Sequence, residues 1–200
     1  LMSAQWMVEG ESQYDMFAWD VARFGDWADK AFTKARVGDQ YAKRFAIHFP
    51  NEERDAGRPV RTRPAHALQT TLGGVFGLNY GWEHVQWFAD HPGAKDTNGF
   101  TRQNWFEPVG RECRMLRNTA GIIDISNFAK YRVCGGRAEA WLNAVFANKM
   151  PKAVGRSCLT PLIGVRGGIA GDFTVTRLAE EEFMIIGSGM AERYHQRFWK

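Results

Sequence analysis

The stretch from Ser157 to Gly187 constrains the architecture more tightly than any other. Three runs, Ser157–Ile163, Ile169–Leu178 and Glu182–Gly187, read as strands, and only Gly164-Val165-Arg166-Gly167-Gly168 and Ala179-Glu180-Glu181 separate them. Connections that short cannot hold a crossover helix, so neighbouring strands must run antiparallel. Upstream, Ala129, Tyr131 and Val133 alternate with Lys130 and Arg132, which predicts a fourth strand with one buried and one wet face. A Gly135-Gly136 turn then leads into a helix with Ala138, Trp141, Leu142, Val145 and Phe146 on one face. The expected fold class is α+β, with packed helices and antiparallel hairpins.

The first half is less regular. Ala31, Ala35, Gly38, Ala42 and Phe45 recur at helical spacing, predicting a helix over Asp29–Phe45 with a narrow small-residue stripe. Ala46–Phe49 reads as a short strand, Pro50–Pro64 as a charged, proline-punctuated loop, and Ala65–Leu72 as a short helix. The polar stretch Asp90–Gly99 reads as a linker, giving modules at 1–90 and 91–200. Beyond it, Pro108 suits the first turn of a helix carrying Val109, Cys113, Leu116 and Ala120, and Gly121 ends it. Gly121–Ser126 is expected to be a strand.

Composition narrows the function classes. With 200 residues and 44% hydrophobic content the chain can bury one core, and no stretch approaches the roughly 20 uninterrupted apolar residues of a membrane span. No charged-then-apolar leader opens the chain, which is expected to be soluble and a piece of something longer. Cys113, Cys134 and Cys158 fit neither a disulfide framework nor a metal knuckle, so a reducing compartment is expected. The histidines form no ligand-spaced pair, so no metal site is expected. Residues 101–200 hold 15 Lys/Arg against 9 Asp/Glu, net +6, whereas residues 1–100 are net −2. The basic residues are dispersed rather than striped and the aromatics crowd the acidic half, which argues against nucleic acid.

Two glycine clusters, Gly73-Gly74-Val75-Phe76-Gly77 and Gly164 to Gly171, lack the frame of a dinucleotide fingerprint or a phosphate loop and read as turns. The second is followed at once by Asp172 and then Phe173-Thr174-Val175-Thr176, a β-branched strand where a carboxylate is unwelcome without a partner. An ordinary turn aspartate and a carboxylate held rigidly toward a cleft are both compatible with that spacing.

Three blocks carry a family resemblance: Asn104-Trp105-Phe106-Glu107-Pro108 with Gly110-Arg111-Glu112-Cys113, Gly121-Ile122-Ile123-Asp124-Ile125-Ser126, and Leu159-Thr160-Pro161 leading to Arg166-Gly167-Gly168-Ile169-Ala170-Gly171-Asp172. They resemble the folate-binding part of dimethylglycine and sarcosine dehydrogenases, itself similar to the aminomethyltransferase (T-protein) of the glycine cleavage system. Trp6-Met7-Val8-Glu9-Gly10, His48-Phe49-Pro50-Asn51 and Tyr80-Gly81-Trp82-Glu83 resemble the end of the flavin-dependent oxidoreductase module of the same enzymes.

The resemblance implies a fragment spanning that junction, 1–90 closing the flavin module and 91–200 opening the folate-binding domain. It implies an enzyme that uses FAD to oxidise a small N-methyl amine and passes the one-carbon unit to tetrahydrofolate, in the cytoplasm or, in a eukaryote, the mitochondrial matrix. Asp172 falls at the position of the family's catalytic aspartate. Tyr131, Gly168, Ile169 and Thr174 become candidates for the folate pocket, with a core role for Tyr131 as the alternative, and Arg166 and Arg177 are the nearest cations for the acidic tail. The family's dinucleotide fingerprint and flavin-carrying histidine have no counterpart in this sequence, so it holds no complete flavin site. The alternatives are a folate-dependent aminomethyl- or methyltransferase without a redox step, and a folate-binding module without chemistry.

Overall fold

The structure, a computed structural model, describes residues 2–164 and 167–199. The elements in chain order are α1 (Met2–Glu9), α2 (Lys30–Ala42), α3 (His66–Thr71), β1 (Gly74–Asn79), β2 (Trp82–Phe88), α4 (Phe106–Asn118), β3 (Ala129–Cys134), α5 (Ala138–Val145), β4 (Ser157–Ile163), β5 (Ile169–Ala179), β6 (Glu182–Gly187) and α6 (Glu192–His195), with short 3₁₀ turns between some of them. They fall into two compact units: residues up to Gly25 together with those from Phe128 on, and Asp26–Asn127. The units therefore do not divide the chain at residue 90. The four strands from Ala129 on and the helix between them form one unit with the first residues of the chain, whereas Asp90–Gly99 lies inside the other.

In the first unit the strands form one antiparallel sheet in the order β3-β6-β5-β4. The expected alternation is realised rung by rung: Tyr131 opposes Ile185, Ile185 opposes Val175, and Val175 opposes Cys158. Phe173, Val175, Phe183 and Ile185 are at most 1% exposed and face α5, whose Ala138 and Leu142 are buried with Phe146 just beyond its end. Burial of each large side chain contributes about 2 kcal/mol. Phe173 lies edge-on to Phe146, with ring centroids 5.2 Å apart. The other face, with Asp172, Thr174 and Thr176 on β5 and Leu159 on β4, holds no buried side chain.

Arg177 is the exception on the core side. It is 5% exposed, and its guanidinium donates to the carbonyls of Pro151 and Glu180 and pairs with Glu139 on α5. A charge taken from water survives there because every face of the fork has an acceptor.

In the second unit, Asp29 caps α2, its carboxylate accepting from the Phe32 amide at 2.8 Å. The small-residue stripe is not the packed face of this helix. Of that stripe Ala35 alone is half-buried, together with Phe32, Arg36 and Asp39, because Arg36 reaches the Arg54 carbonyl at 2.8 Å and draws that side inward. The Gly73–Gly77 cluster belongs mostly to a strand, not a turn. β1 and β2 form a hairpin whose Tyr80-Gly81 turn has both residues at positive φ, 50° and 83°, the backbone that makes a two-residue turn match the twist of its strands.

Two expected strands are absent. Ala46–Phe49 is irregular, and Gly121–Ser126 forms no strand, with Ile122, Ile123 and Ile125 at 104%, 82% and 60% exposure. Asp124 supplies the reason for the second. Its carboxylate accepts from the Ser126 amide at 2.8 Å, a local turn that competes with a ladder. α4 forms and Pro108 is buried in its first turn, but Cys113 and Leu116 are exposed, so the anticipated stripe is not an interior face.

Arg177→Leu is expected to destabilise the protein by about 2–4 kcal/mol, since two carbonyls lose charged donors that a leucine cannot replace. A urea denaturation midpoint that does not move would contradict this account of the buried arginine.

Candidate functional site

Asp172 is the fourth residue of β5 and projects from the open face of the sheet, opposite Pro161 of β4. The side chain is exposed. Thr174 follows on the same face, half-buried, with the 70%-exposed Leu159 as its β4 partner and Ile186 as its β6 partner. Gly168 and the 73%-exposed Ile169 stand where the strand begins, the Gly164 amide donating to the Gly168 carbonyl at 2.8 Å to close the turn. A carboxylate beside leucine, isoleucine and threonine side chains offers a flat ring one apolar surface and one acceptor.

Tyr131 is not brought to this face. It points into the core, where its hydroxyl donates to the Glu192 carbonyl at 3.0 Å and lies 3.2 Å from Nδ1 of His195. Burial raises its pKa well above the ordinary phenol value, so it is a neutral structural group. Nor does Arg177 reach the open face, being sequestered with Glu139. Arg166 lies outside the described residues.

One residue of consequence was not singled out by the sequence. His195 is 1% exposed, and its ring packs on Phe173 with centroids 4.5 Å apart. The single phenolic proton of Tyr131 goes to the Glu192 carbonyl, so the phenol oxygen accepts from Nδ1–H and the imidazole is neutral. Burial pushes its pKa down to about 4. Only its place in the aromatic run Tyr194–Trp199 hints at such a role, and that pattern is equally that of a surface helix.

The second unit holds a cavity of about 480 Å³ lined by Glu53, Asp55, Arg58, His66, Glu83 and Asp96 among others. Its charges are already engaged. Arg58 donates to both oxygens of the buried Glu83, at 3.0 and 2.6 Å, and to the Phe76 carbonyl at 2.9 Å; Asp96 accepts from the Trp87 indole at 2.7 Å. This is the arrangement of a structural ion-pair network. Close by in sequence, Arg63 is 7% exposed, yet its Nε and Nη2 have no hydrogen-bond partner, and burial lowers its pKa.

With that geometry in hand, the relatives can be set beside it. The GCVT N-terminal domain family matches residues 65–199, and the FAD dependent oxidoreductase central domain matches residues 9–62. The chain belongs to the GCVT N-terminal domain family. Over 98% of its length the chain is 34% identical to the mouse dimethylglycine dehydrogenase, mitochondrial, of which that match covers 22%. Over 92% it is 32% identical to 4-methylaminobutanoate oxidase (formaldehyde-forming) of Paenarthrobacter nicotinovorans, again covering 22%. The chain thus spans about a fifth of the curated relatives it matches. The fold is like that of the glycine cleavage system aminomethyltransferase T from Bartonella henselae, with a TM-score of 0.53 over 70% of this chain and 34% of that one at 24% identity. The GCVT match begins at α3 and takes in both the β1–β2 hairpin and the four-stranded sheet that carries Asp172.

Two outcomes follow. Because the fold holds His195 neutral, the unfolded chain takes up its proton first as pH falls below the ordinary value near 6.5. Stability contributed by this residue is therefore complete above that value and is lost progressively down to about pH 4, amounting to about 3 kcal/mol at one pKa unit per 1.4 kcal/mol. His195→Asn should remove that portion of the pH dependence in urea titrations at pH 7, 5.5 and 4.5. Separately, Arg63→Met should leave stability unchanged or raise it by about 1 kcal/mol, because a buried guanidinium with two of its three nitrogens unbonded is not repaid by the Trp82 ring 6.0 Å away and the charge of Asp124; a loss above that size would mean the charge is compensated.

Proposed function

We propose that this chain is the junction of a flavin-dependent, tetrahydrofolate-linked N-demethylating dehydrogenase, and that Asp172 is the group of its GCVT domain that acts on the one-carbon transfer. The substrate class is a small N-methyl amine of the dimethylglycine or sarcosine type, and the acceptor is tetrahydrofolate. Supporting this reading are the names of the relatives in organisms as distant as mouse and Paenarthrobacter, and the two family matches in the order oxidoreductase, then GCVT domain. The observation that carries it is the position of Asp172. A carboxylate projects from a regular strand beside exposed apolar side chains, with no arginine or lysine among its described ion pairs to neutralise it.

Capture of an iminium or of formaldehyde by a folate amine passes through cationic nitrogen species. A fixed negative charge lowers the energy of such a species more than that of the neutral reactants, and a carboxylate can also relay the proton released as the new carbon–nitrogen bond forms. Asp172 is suited to both tasks, while Thr174, Leu159 and Ile169 would flank the flat pteridine and Gly168 would let it approach the backbone closely.

FAD is a different matter for these residues. The doubly wound dinucleotide-binding fold holds its cofactor at a glycine-rich turn running from a strand into a helix. Gly74 and Gly77 lie inside a β-hairpin, where an added Cβ at Gly74 would lie 2.7 Å from the Gln69 carbonyl oxygen. The Gly73–Gly77 cluster does not form that turn, and the redox step is assigned to the whole enzyme rather than to any group here. A transferase without a redox step is the weaker reading, because residues 9–62 match an oxidoreductase domain that it would not need.

In the full-length enzyme, Asp172→Asn should slow methylene-tetrahydrofolate formation about 100- to 1,000-fold, the loss expected for one preorganised electrostatic group, while amine-driven flavin reduction keeps its rate. Unchanged one-carbon transfer in that variant would remove Asp172 from the chemistry. Failure of any N-methyl amine to reduce the flavin would remove the dehydrogenase reading itself.

A further inference from the structure

The strand that presents Asp172 is held unequally on its two edges. On the β4 side the pairing is continuous, Thr160 with Phe173, Pro161 with Asp172 and Leu162 with Gly171. Toward β6 the register starts only at Thr174, paired with Ile186, and β6 ends at Gly187. Asp172 therefore lies beyond the rungs that fasten the other edge of its strand. Something else must fix its backbone if the carboxylate is to keep one position.

The reverse side of the strand shows what does so. A β-carbon at Gly171 would lie 2.6 and 2.9 Å from the Phe173 ring and 3.0 Å from Nε2 of His195, and one at Gly187 would lie 2.5 Å from the same phenyl ring and 3.2 Å from Cε1 of His195. Phe173 thus lies flat over two glycines on adjacent strands, and His195 closes over both. His195 is anchored in turn through Nδ1 to the Tyr131 hydroxyl, on a strand that is firmly laddered to β6.

We propose that His195 is a positioning residue for Asp172: pressed against Gly171 and Phe173 from the core side and tethered to Tyr131, it holds the free-edged segment of β5 so that the carboxylate on the opposite face stays in one place. This rests on the role proposed above for Asp172. His195 touches neither the open face nor any substrate there, so its effect passes through two backbone units. The groups facing its ring are Tyr131 from β3, Phe173 and Gly171 from β5, and Gly187 from β6; among the described residues the charge acting on the Tyr131 hydroxyl is that of Glu192, at the start of the histidine's own helix. Among these the imidazole is the one nitrogen base, and it serves here as a neutral donor.

The test uses the full-length enzyme in four variants: His195→Ala, His195→Asn, Asp172→Asn and the double variant. His195→Ala should lower kcat for methylene-tetrahydrofolate formation about 10- to 100-fold, as for a catalytic group displaced by about 1 Å, leaving the KM for tetrahydrofolate and the rate of flavin reduction by the amine within about twofold. His195→Asn, whose amide can still donate to the Tyr131 oxygen, should recover most of the loss. Without any substrate or turnover, amide hydrogen exchange across Gly171–Phe173 should be faster in His195→Ala and close to wild type in His195→Asn. In the Asp172→Asn background, His195→Ala should cause no further loss, because a positioning residue acts only through the group it positions.

Several results would overturn the inference. They are a kcat for His195→Ala within about twofold of wild type, equal losses in flavin reduction and one-carbon transfer, or additive losses in the double variant. If His195→Ala does not fold, Gly171→Ala applies the same displacement from the other side, and an unaltered kcat there is equally decisive. If Asp172→Asn itself keeps full activity, the reading of Asp172 fails instead, whatever the histidine variants do.

Discussion

Phe173 can lie across two strands at once only because neither Gly171 nor Gly187 carries a side chain. That contact brings β5 and β6 together where their ladder gives out, it seats His195, and with Phe146 it joins the sheet to the end of α5. Because side chains alternate along a strand, fixing Phe173 inward also fixes Asp172 outward, and a slip of one residue would bury the carboxylate and expose the phenyl ring. The register of this sheet and the exposure of its one conspicuous acid are consequences of a single packing choice.

Membership of the GCVT family and the fold of this sheet are consistent with one another, since the structural likeness to an aminomethyltransferase extends over 70% of the chain. The compact units cut across the family boundary. The oxidoreductase match ends at residue 62 and the GCVT match starts at 65, yet both cross Gly25–Asp26 or Asn127–Phe128, where the compact units divide. Sequence families record inheritance, whereas compactness records which residues exclude water together, and a chain that weaves between two cores satisfies one without the other. Arg58, in the oxidoreductase match, donates to both oxygens of Glu83, in the GCVT match, so the second unit is held together by a charge pair from the two families.

Where the pattern had period two and short turns, the sequence was legible. β3 lies where alternation put it, and β4, β5 and β6 where the short turns between their runs put them, because connections that short leave only an antiparallel sheet. The β1–β2 hairpin was hidden by its glycines, which look like loop residues until Tyr80-Gly81 is seen to supply the two positive φ values of a tight turn. Ile122, Ile123 and Ile125 misled in the opposite direction: a run of β-branched residues predicts a strand, but a strand needs a partner, and Asp124 diverts the local backbone to Ser126. Of the site, the strand of Asp172 and Thr174 could be read and their neighbour across the core could not. Nothing in the spacing of a lone histidine says that it will meet Phe173, Gly171 and Gly187, residues at least eight positions away.

Pro161 shows why Asp172 belongs to a strand rather than to the glycine turn before it. Its carbonyl accepts from the Ala147 amide at 3.1 Å, away from β5. The alternation of the ladder therefore gives the hydrogen bonds toward β5 to Thr160 and Leu162, and Pro161 with Asp172 forms the closer, non-bonded kind of pair. A proline is tolerated there because no donor is missed. On the open face Pro161 is therefore the cross-strand neighbour of the exposed Asp172.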